Sequence, residues 1–173
     1  MSIAINALTQ APFEQTLGAL AGVLAKAEAH AAAKKFDAGV LLSARLAPDM
    51  FPLSRQVEIA CDFARSSLAR LAGVEVPSWR DEAKTIADLR ARIAKTLEYV
   101  HTFKPGDLDG AEARDVALSL AGKPVTMKGG LYLLHFVLPI FYFHATMAYA
   151  ILRHNGVVLG KRDFMGAVPG LTL

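Results

Sequence analysis

The sequence predicts an all-α fold: a four-helix bundle with a small β-hairpin inserted before the last helix. Three observations carry that expectation. Four segments repeat apolar residues at steps of three and four, the spacing that lines one face of a helix. Proline and glycine punctuate the stretches between them. One short region before the last segment changes to period two, the spacing of a strand. At 173 residues the chain is expected to be one domain, 1–173, able to bury a core without disulfides or metal staples.

The first helix is expected over 12–35, where Phe13, Leu17, Leu20, Leu24 and Ala27 share a face. Pro12 suits a first helical turn. Lys34 and Lys35 favour the C-terminal end of the dipole, and Gly39 is the expected stop. The stretch "LLSARLAPDMFPL" cannot be one helix because Pro48 and Pro52 interrupt it; it reads as a connector over the bundle's end. A second helix is expected over 53–72, opened by Pro52 or Ser54 and stopped by Gly73. Leu53, Val57, Ala60, Ala64, Leu68 and Leu71 form its stripe, while Arg55, Glu58, Asp62 and Arg65 fall on the far side as a solvated, pairing face. Gln56 lies about 60° from the stripe's centre, at the edge of the core.

The third helix is expected over 85–101 with Ile86, Leu89, Ile93, Leu97 and Val100 inward and Ser78 or Asp81 as cap. "FKPGDLDG" breaks the chain after it. Val116, Leu118 and Leu120 alternate, "AGKP" follows, and Val125 and Met127 alternate again, which reads as a hairpin about a Gly-Pro turn. Residues 131–137 fit strand or helix equally. Pro139 is expected to start the fourth helix and "RHNG" to end it; the tail "VVLGKRDFMGAVPGLTL" reads as non-helical, packed across the bundle's end. The fourth helix has the least charge and is expected at the core.

Composition excludes several function classes. Hydrophobic residues are 53% and charged residues 20%, so the chain has the means to fold. The net charge is only +3, with both signs interleaved, so no nucleic-acid-binding stripe stands out. The single cysteine, Cys61, excludes a disulfide framework or a Cys-rich zinc site and reads as a buried, inert thiol. The first lysine is Lys26, so no basic region precedes an apolar one, and a cytoplasmic setting is expected. Residues 131–152 carry no Asp, Glu, Lys or Arg and approach the length of a membrane span. That stretch also holds His135, Pro139, His144 and three tyrosines, and the other helices' apolar stripes need a partner; a bundle helix and no membrane are expected.

The histidines of that stretch do not chelate by themselves. His144 and His154 are ten residues apart, about 15 Å along a helix, so they cannot share an ion. His135 and His144 lie about 180° apart around a helix, with Pro139 between them. His144 stands among Ile140, Met147, Ala148 and Ile151, on an apolar side. It is either a core histidine bonded to a tyrosine, a glutamine or backbone, or one member of a polar pocket between helices with Gln56 as companion.

"LARLAG", "ARIAKTLEYV" and above all "LPIFYFHATMAYAILRHNGVVLGKRDFMG" resemble the DUF1993 family, itself similar to the DinB/YfiT-like four-helix bundles. The resemblance is clearest over 41–166. DinB-like proteins often bind a divalent metal through one histidine on the second helix and an HxxxH pair on the fourth, before a "LR..G….DF" ending. That ending is matched by Leu152, Arg153, Gly156, Asp163 and Phe164, which aligns His144 with the second histidine of the pair. The first falls on Ile140, and the second helix has no histidine, Gln56 standing near its place. An isoleucine cannot replace an imidazole. The resemblance therefore implies a bundle that has lost the DinB-type metal site, with no metal and no cofactor.

The function expected from residues and resemblance together is a small-ligand-binding or interaction protein with a degenerate metal pocket. Its ligand-binding residues would be His144, Gln56, Tyr142 and Tyr149, with Phe141 and Phe143 as further walls. The resemblance also implies a homodimer. The alternative is a metal- or His-dependent enzyme of the DinB-like thiol transferase or isomerase type, with His144 as general base. No residue pattern names a reaction.

Overall fold

The computed structural model describes residues 5–79 and 83–171. Four helices form the bundle: α1 (Gln10–Lys34), α2 (Leu53–Ala72), α3 (Ile86–His101) and α4, which runs from Gly129 to His154. An antiparallel hairpin, β1 (Asp115–Leu120) and β2 (Lys123–Lys128), leads into α4, and a short α5 (Lys161–Met165) follows it. Around the bundle the order is α1, α3, α2, α4. Each helix packs on its neighbours in that ring, and α1 meets α2 only weakly across the diagonal.

The expected stripes are the buried ones. Phe13, Leu17, Leu20, Leu24 and Ala27 of α1 are buried, as are all six stripe residues of α2 and four of the five on α3, Leu97 being half-buried. Each large apolar side chain taken from water stabilises the fold by about 1.5–3 kcal/mol, so these faces fix how the helices turn toward one another.

Helix ends differ from the expectation where a residue other than glycine or an unusual cap does the work. α1 stops at Lys35, which adopts the left-handed conformation at φ 59°. The Phe36 N–H reaches back to the Ala31 carbonyl at 3.1 Å and the Lys35 N–H to that of Ala32 at 3.2 Å, the paired bonds of a Schellman ending. Gly39 is not the stop; its N–H is held at 2.8 Å by the Asp37 carboxylate in the next tight turn, Ala38–Ser43. α2 ends as expected on Gly73 at φ 72°. α3 is capped by Thr85 rather than by Ser78 or Asp81. Thr85 Oγ1 accepts the Asp88 N–H at 3.0 Å and the Asp88 carboxylate accepts the Thr85 N–H at 2.9 Å. Ser78 lies in the connector before α3, and Asp81 lies outside the described residues.

The hairpin is present, with Val116 opposite Met127 and Leu118 opposite Val125. Its turn is Ala121-Gly122, both at positive φ (49° and 78°), the pairing that matches the twist of two antiparallel strands. Pro124 is not in the turn but inside β2, opposite Ser119.

α4 starts ahead of Pro139. Its first turn is Gly129–Tyr132, a wide π turn occupies Leu133–Val137, and α-helical geometry resumes over Leu138–His154. Pro139 lacks an N–H and its ring crowds the carbonyl four residues back; a π turn just before it accommodates both defects without breaking the helix. A β carbon at Gly129 would collide with the Ala111 carbonyl, so only glycine fits where the hairpin's base meets α4. The expectation that α4 is the core element holds for one face. Val137, Phe141, Ala145, Ala148 and Leu152 are buried, but Leu131, Leu134, Tyr142 and Phe143 face outward. By length and composition Gly129–His154 could cross a membrane, and 33% of its most apolar window is buried in the bundle.

The tail is not wholly irregular. α5 lies along α1, where Gln15 Nε2 donates to the Met165 carbonyl at 2.8 Å and Lys26 pairs with Asp163 at 2.6 Å. Five helical residues are too few to show a period, which is why the sequence does not announce them.

Candidate functional site

The face where α2 meets α4 carries the most extensive helix packing in the molecule. Ala60 and Ala64 on α2 and Ala145 and Ala148 on α4 are small and buried, and Phe63 of α2 meets Phe136 of α4 across this face. Near the start of α2 the run of small apolar residues gives way to a polar pair. Gln56 is 1% exposed and His144 is 9% exposed, and their Oε1 and Nδ1 atoms lie 2.6 Å apart.

The wiring of this pair fixes its protons. Gln56 Nε2 donates to the Phe51 carbonyl at 3.0 Å. A carbonyl has no proton to give, so the amide nitrogen faces Phe51 and the amide oxygen faces the imidazole. His144 must then donate from Nδ1. In the neutral ring Nε2 carries the lone pair. Burial, followed by the charge of Arg55, holds the His144 pKa below its ordinary value. The imidazole is thus neutral near pH 7 and presents an acceptor at Nε2.

The chain's fold explains each position. Pro52 is the N-cap of α2 and sets the preceding backbone extended, which carries the Phe51 carbonyl to the mouth of the helix. Gln56, one turn in, meets it. On α4, His144 sits on the flank of the buried face, and the Phe143 ring stands edge-on to the imidazole at 5.2 Å.

The two tyrosines of the expected site are elsewhere. Tyr142 lies about 200° from His144 around the helix and is part-exposed, its ring against Phe141. Tyr149 lies about 140° away and packs edge-on against Phe164 of α5 at 5.7 Å. His135 and His154 are exposed. The structure therefore unites Gln56 with His144 and separates both from the tyrosines, whose helical angles already pointed away.

The metal that a DinB-like fold implies can be tested on donor chemistry. Ile140 occupies the position one turn before His144 and has no donor. The Gln56 oxygen is committed to His144. Among the described residues no three His, Cys, Asp or Glu side chains come together. One imidazole lone pair is not a binding set for zinc or a similar ion, so the residues present do not fit the metal.

Cys61 is buried, and burial pushes its thiol pKa up to about 12, partly opposed by a hydrogen bond with Thr96. Such a thiol is no nucleophile at neutral pH.

A second polar cluster lies on the α2–α3 side, and the sequence reading missed it. Arg65 was expected in solvent but is 7% exposed. Its Nη2 and that of Arg92 from α3 both reach the same Asp62 oxygen, at 3.0 and 2.9 Å. Arg65 also lies on the Trp79 ring, its Cζ 4.5 Å from the centroid. The i,i+3 pairing of Asp62 with Arg65 is as expected; the burial is not. Arg65 sits about 100° from the α2 stripe, and Arg92 sits at a similar angle on α3. Flanks at that angle meet when two helices pack, and that signal was legible.

The comparisons with known proteins give the family and the fold. The family model described as "Domain of unknown function (DUF1993)" matches residues 6–165. The crystal structure of a DinB family member protein from Shewanella denitrificans superposes with a TM-score of 0.88 at 41% identity, covering 98% of this chain and 96% of that chain. No curated protein matches.

Proposed function

This chain belongs to the DUF1993 family and has the bundle of a DinB family member, and from that premise we propose that it is a small-ligand-binding protein, cytoplasmic and homodimeric, built on a bundle that has given up its metal. The observation that carries the reading is the His144–Gln56 pair at 2.6 Å. The resemblance aligns His144 with one metal-ligand position of DinB-like proteins and puts Gln56 near another; here the two form a buried polar pair, with one acceptor at Nε2 still available and no set of donors for an ion among the described residues. Such a point suits a neutral ligand with a hydroxyl or N–H to donate, because a neutral imidazole accepts one hydrogen bond without any charge to bury.

The outer face of α4 supports the second copy. Leu131, Leu134 and Phe143 are each about half exposed on one helix, apolar surface that a second copy would cover. Phe143 borders the His144 ring, so a partner seated there would also wall the polar pair.

Extraction of small molecules from natively purified protein, followed by mass spectrometry, tests the ligand. A stoichiometric organic compound retained by the parent and lost in His144→Leu supports the reading; none in either sinks it. Light scattering tests the dimer: Leu134→Glu should turn a dimer into a monomer. The fixed tautomer also favours a second reading, a His-dependent enzyme in which Nε2 takes a proton from a substrate. Turnover that falls with His144→Gln while ligand affinity holds would favour it.

A further inference from the structure

All nine phenylalanines of the chain lie among the described residues, and two of them are exposed, Phe51 at 54% and Phe143 at 51%. Both belong to the same polar pair. The Phe51 carbonyl accepts from Gln56 Nε2 at 3.0 Å, and the Phe143 ring stands edge-on to the His144 imidazole at 5.2 Å. We infer that this site takes a neutral aromatic molecule with one hydroxyl or ring N–H, which packs on the exposed phenylalanines and donates to His144 Nε2. The inference rests on the function proposed above and narrows the ligand to a chemical class.

The surroundings of Nε2 select that class. His144 is 9% exposed, and its Nε2 has no hydrogen-bond partner among the described residues. A neutral imidazole accepts one donor there and offers nothing else. Its neighbours along α4 are apolar: Ile140, one turn before, and Met147, one turn after, are both half-buried. A guest with further polar groups would lose their water and gain no partner. Arg55 does not call for an anion, because Glu58 already pairs with it at 3.2 Å. An exposed phenyl ring gains most from a second ring set edge-on or offset against it, which favours a flat guest over an aliphatic one.

The experiment is nitrogen NMR of the full chain with isotope-labelled histidine, the His144 signals being those lost in His144→Gln. Phenol is the probe. Anisole has the ring without the proton to donate, and cyclohexanol has the proton without the ring. The free protein should show Nδ1 protonated and Nε2 bare. The opposite tautomer would bring down the function proposed above and this inference with it. With Nε2 bare, phenol should shift that resonance to saturation and bind about fivefold or more tightly than either control. Phe143→Ala, at an exposed position and with its fold checked by circular dichroism, should weaken phenol by about two- to tenfold. Three results would overturn the aromatic class while leaving the His144 reading in place. They are no saturation with phenol, a control that binds as tightly as phenol, and a phenol affinity that Phe143→Ala does not change.

Discussion

Replacing Gln56 with leucine should destabilise the protein through one atom. The variant keeps the volume of a buried side chain but removes the oxygen that accepts the His144 Nδ1–H at 2.6 Å. The Phe51 carbonyl loses its donor too, yet Phe51 is exposed and water can replace it. What remains is one buried N–H without a partner, worth about 1–3 kcal/mol. A tautomer switch in His144 would lower that figure, and the added apolar surface offsets a little more, so about 1–2 kcal/mol is expected. For a chain of this size that is a fall in Tm of about 2–8 °C. Urea and thermal unfolding followed by circular dichroism would measure it, with His144→Leu and the double variant completing a cycle. The two single losses should overlap, leaving a coupling of about 1 kcal/mol or more. A Gln56→Leu variant as stable as the parent, with strictly additive losses in the double, would refute the pair as the organiser of this site.

The remaining predictions concern charge, caps and packing. Because the His144 pKa is depressed in the folded state, the unfolded chain binds its proton more readily; stability should fall as pH drops below about 6.5, and His144→Leu should remove that part of the slope in unfolding experiments. Cys61, with its pKa near 12, should resist thiol reagents at mild alkaline pH in the native protein and react fully in urea. Thr85→Ala breaks the reciprocal cap of α3 and should cost about 1 kcal/mol in chemical denaturation, whereas Thr85→Ser should cost much less. Gly129→Ala should cost more than either, about 1–3 kcal/mol or more, since the added methyl meets the Ala111 carbonyl rather than open space.

How far the sequence could be read depended on which residues did the work. α2 was legible to the residue because Pro52 and Gly73 bracket it, and both act through backbone constraints that no tertiary contact overrides. The end of α1 was not, because Lys35 takes a conformation that usually belongs to glycine. The start of α4 was hidden by Pro139, since a π turn lets a helix pass a proline that would otherwise open it. Gln56 and His144 each stand at the edge of an apolar stripe, which makes them candidate companions; whether they meet depends on how α2 and α4 pack, and no pattern within one helix carries that. Tyr142 and Tyr149 were grouped with them by residue type, against their helical angles, and the fold puts them elsewhere. Arg65 shows the opposite error. Its charge suggested solvent, but a long side chain on a helix flank can be covered by a neighbouring helix and an aromatic ring.

The most direct test of the central claim is the metal content of the protein purified without chelators or a metal-affinity tag, alongside His144→Ala. An isoleucine at position 140 and a glutamine at position 56 leave one imidazole lone pair. The account predicts no zinc, nickel or manganese above background in either sample. About one such ion per chain in the parent, lost in the variant, would contradict it and make the metal-dependent reading the starting point.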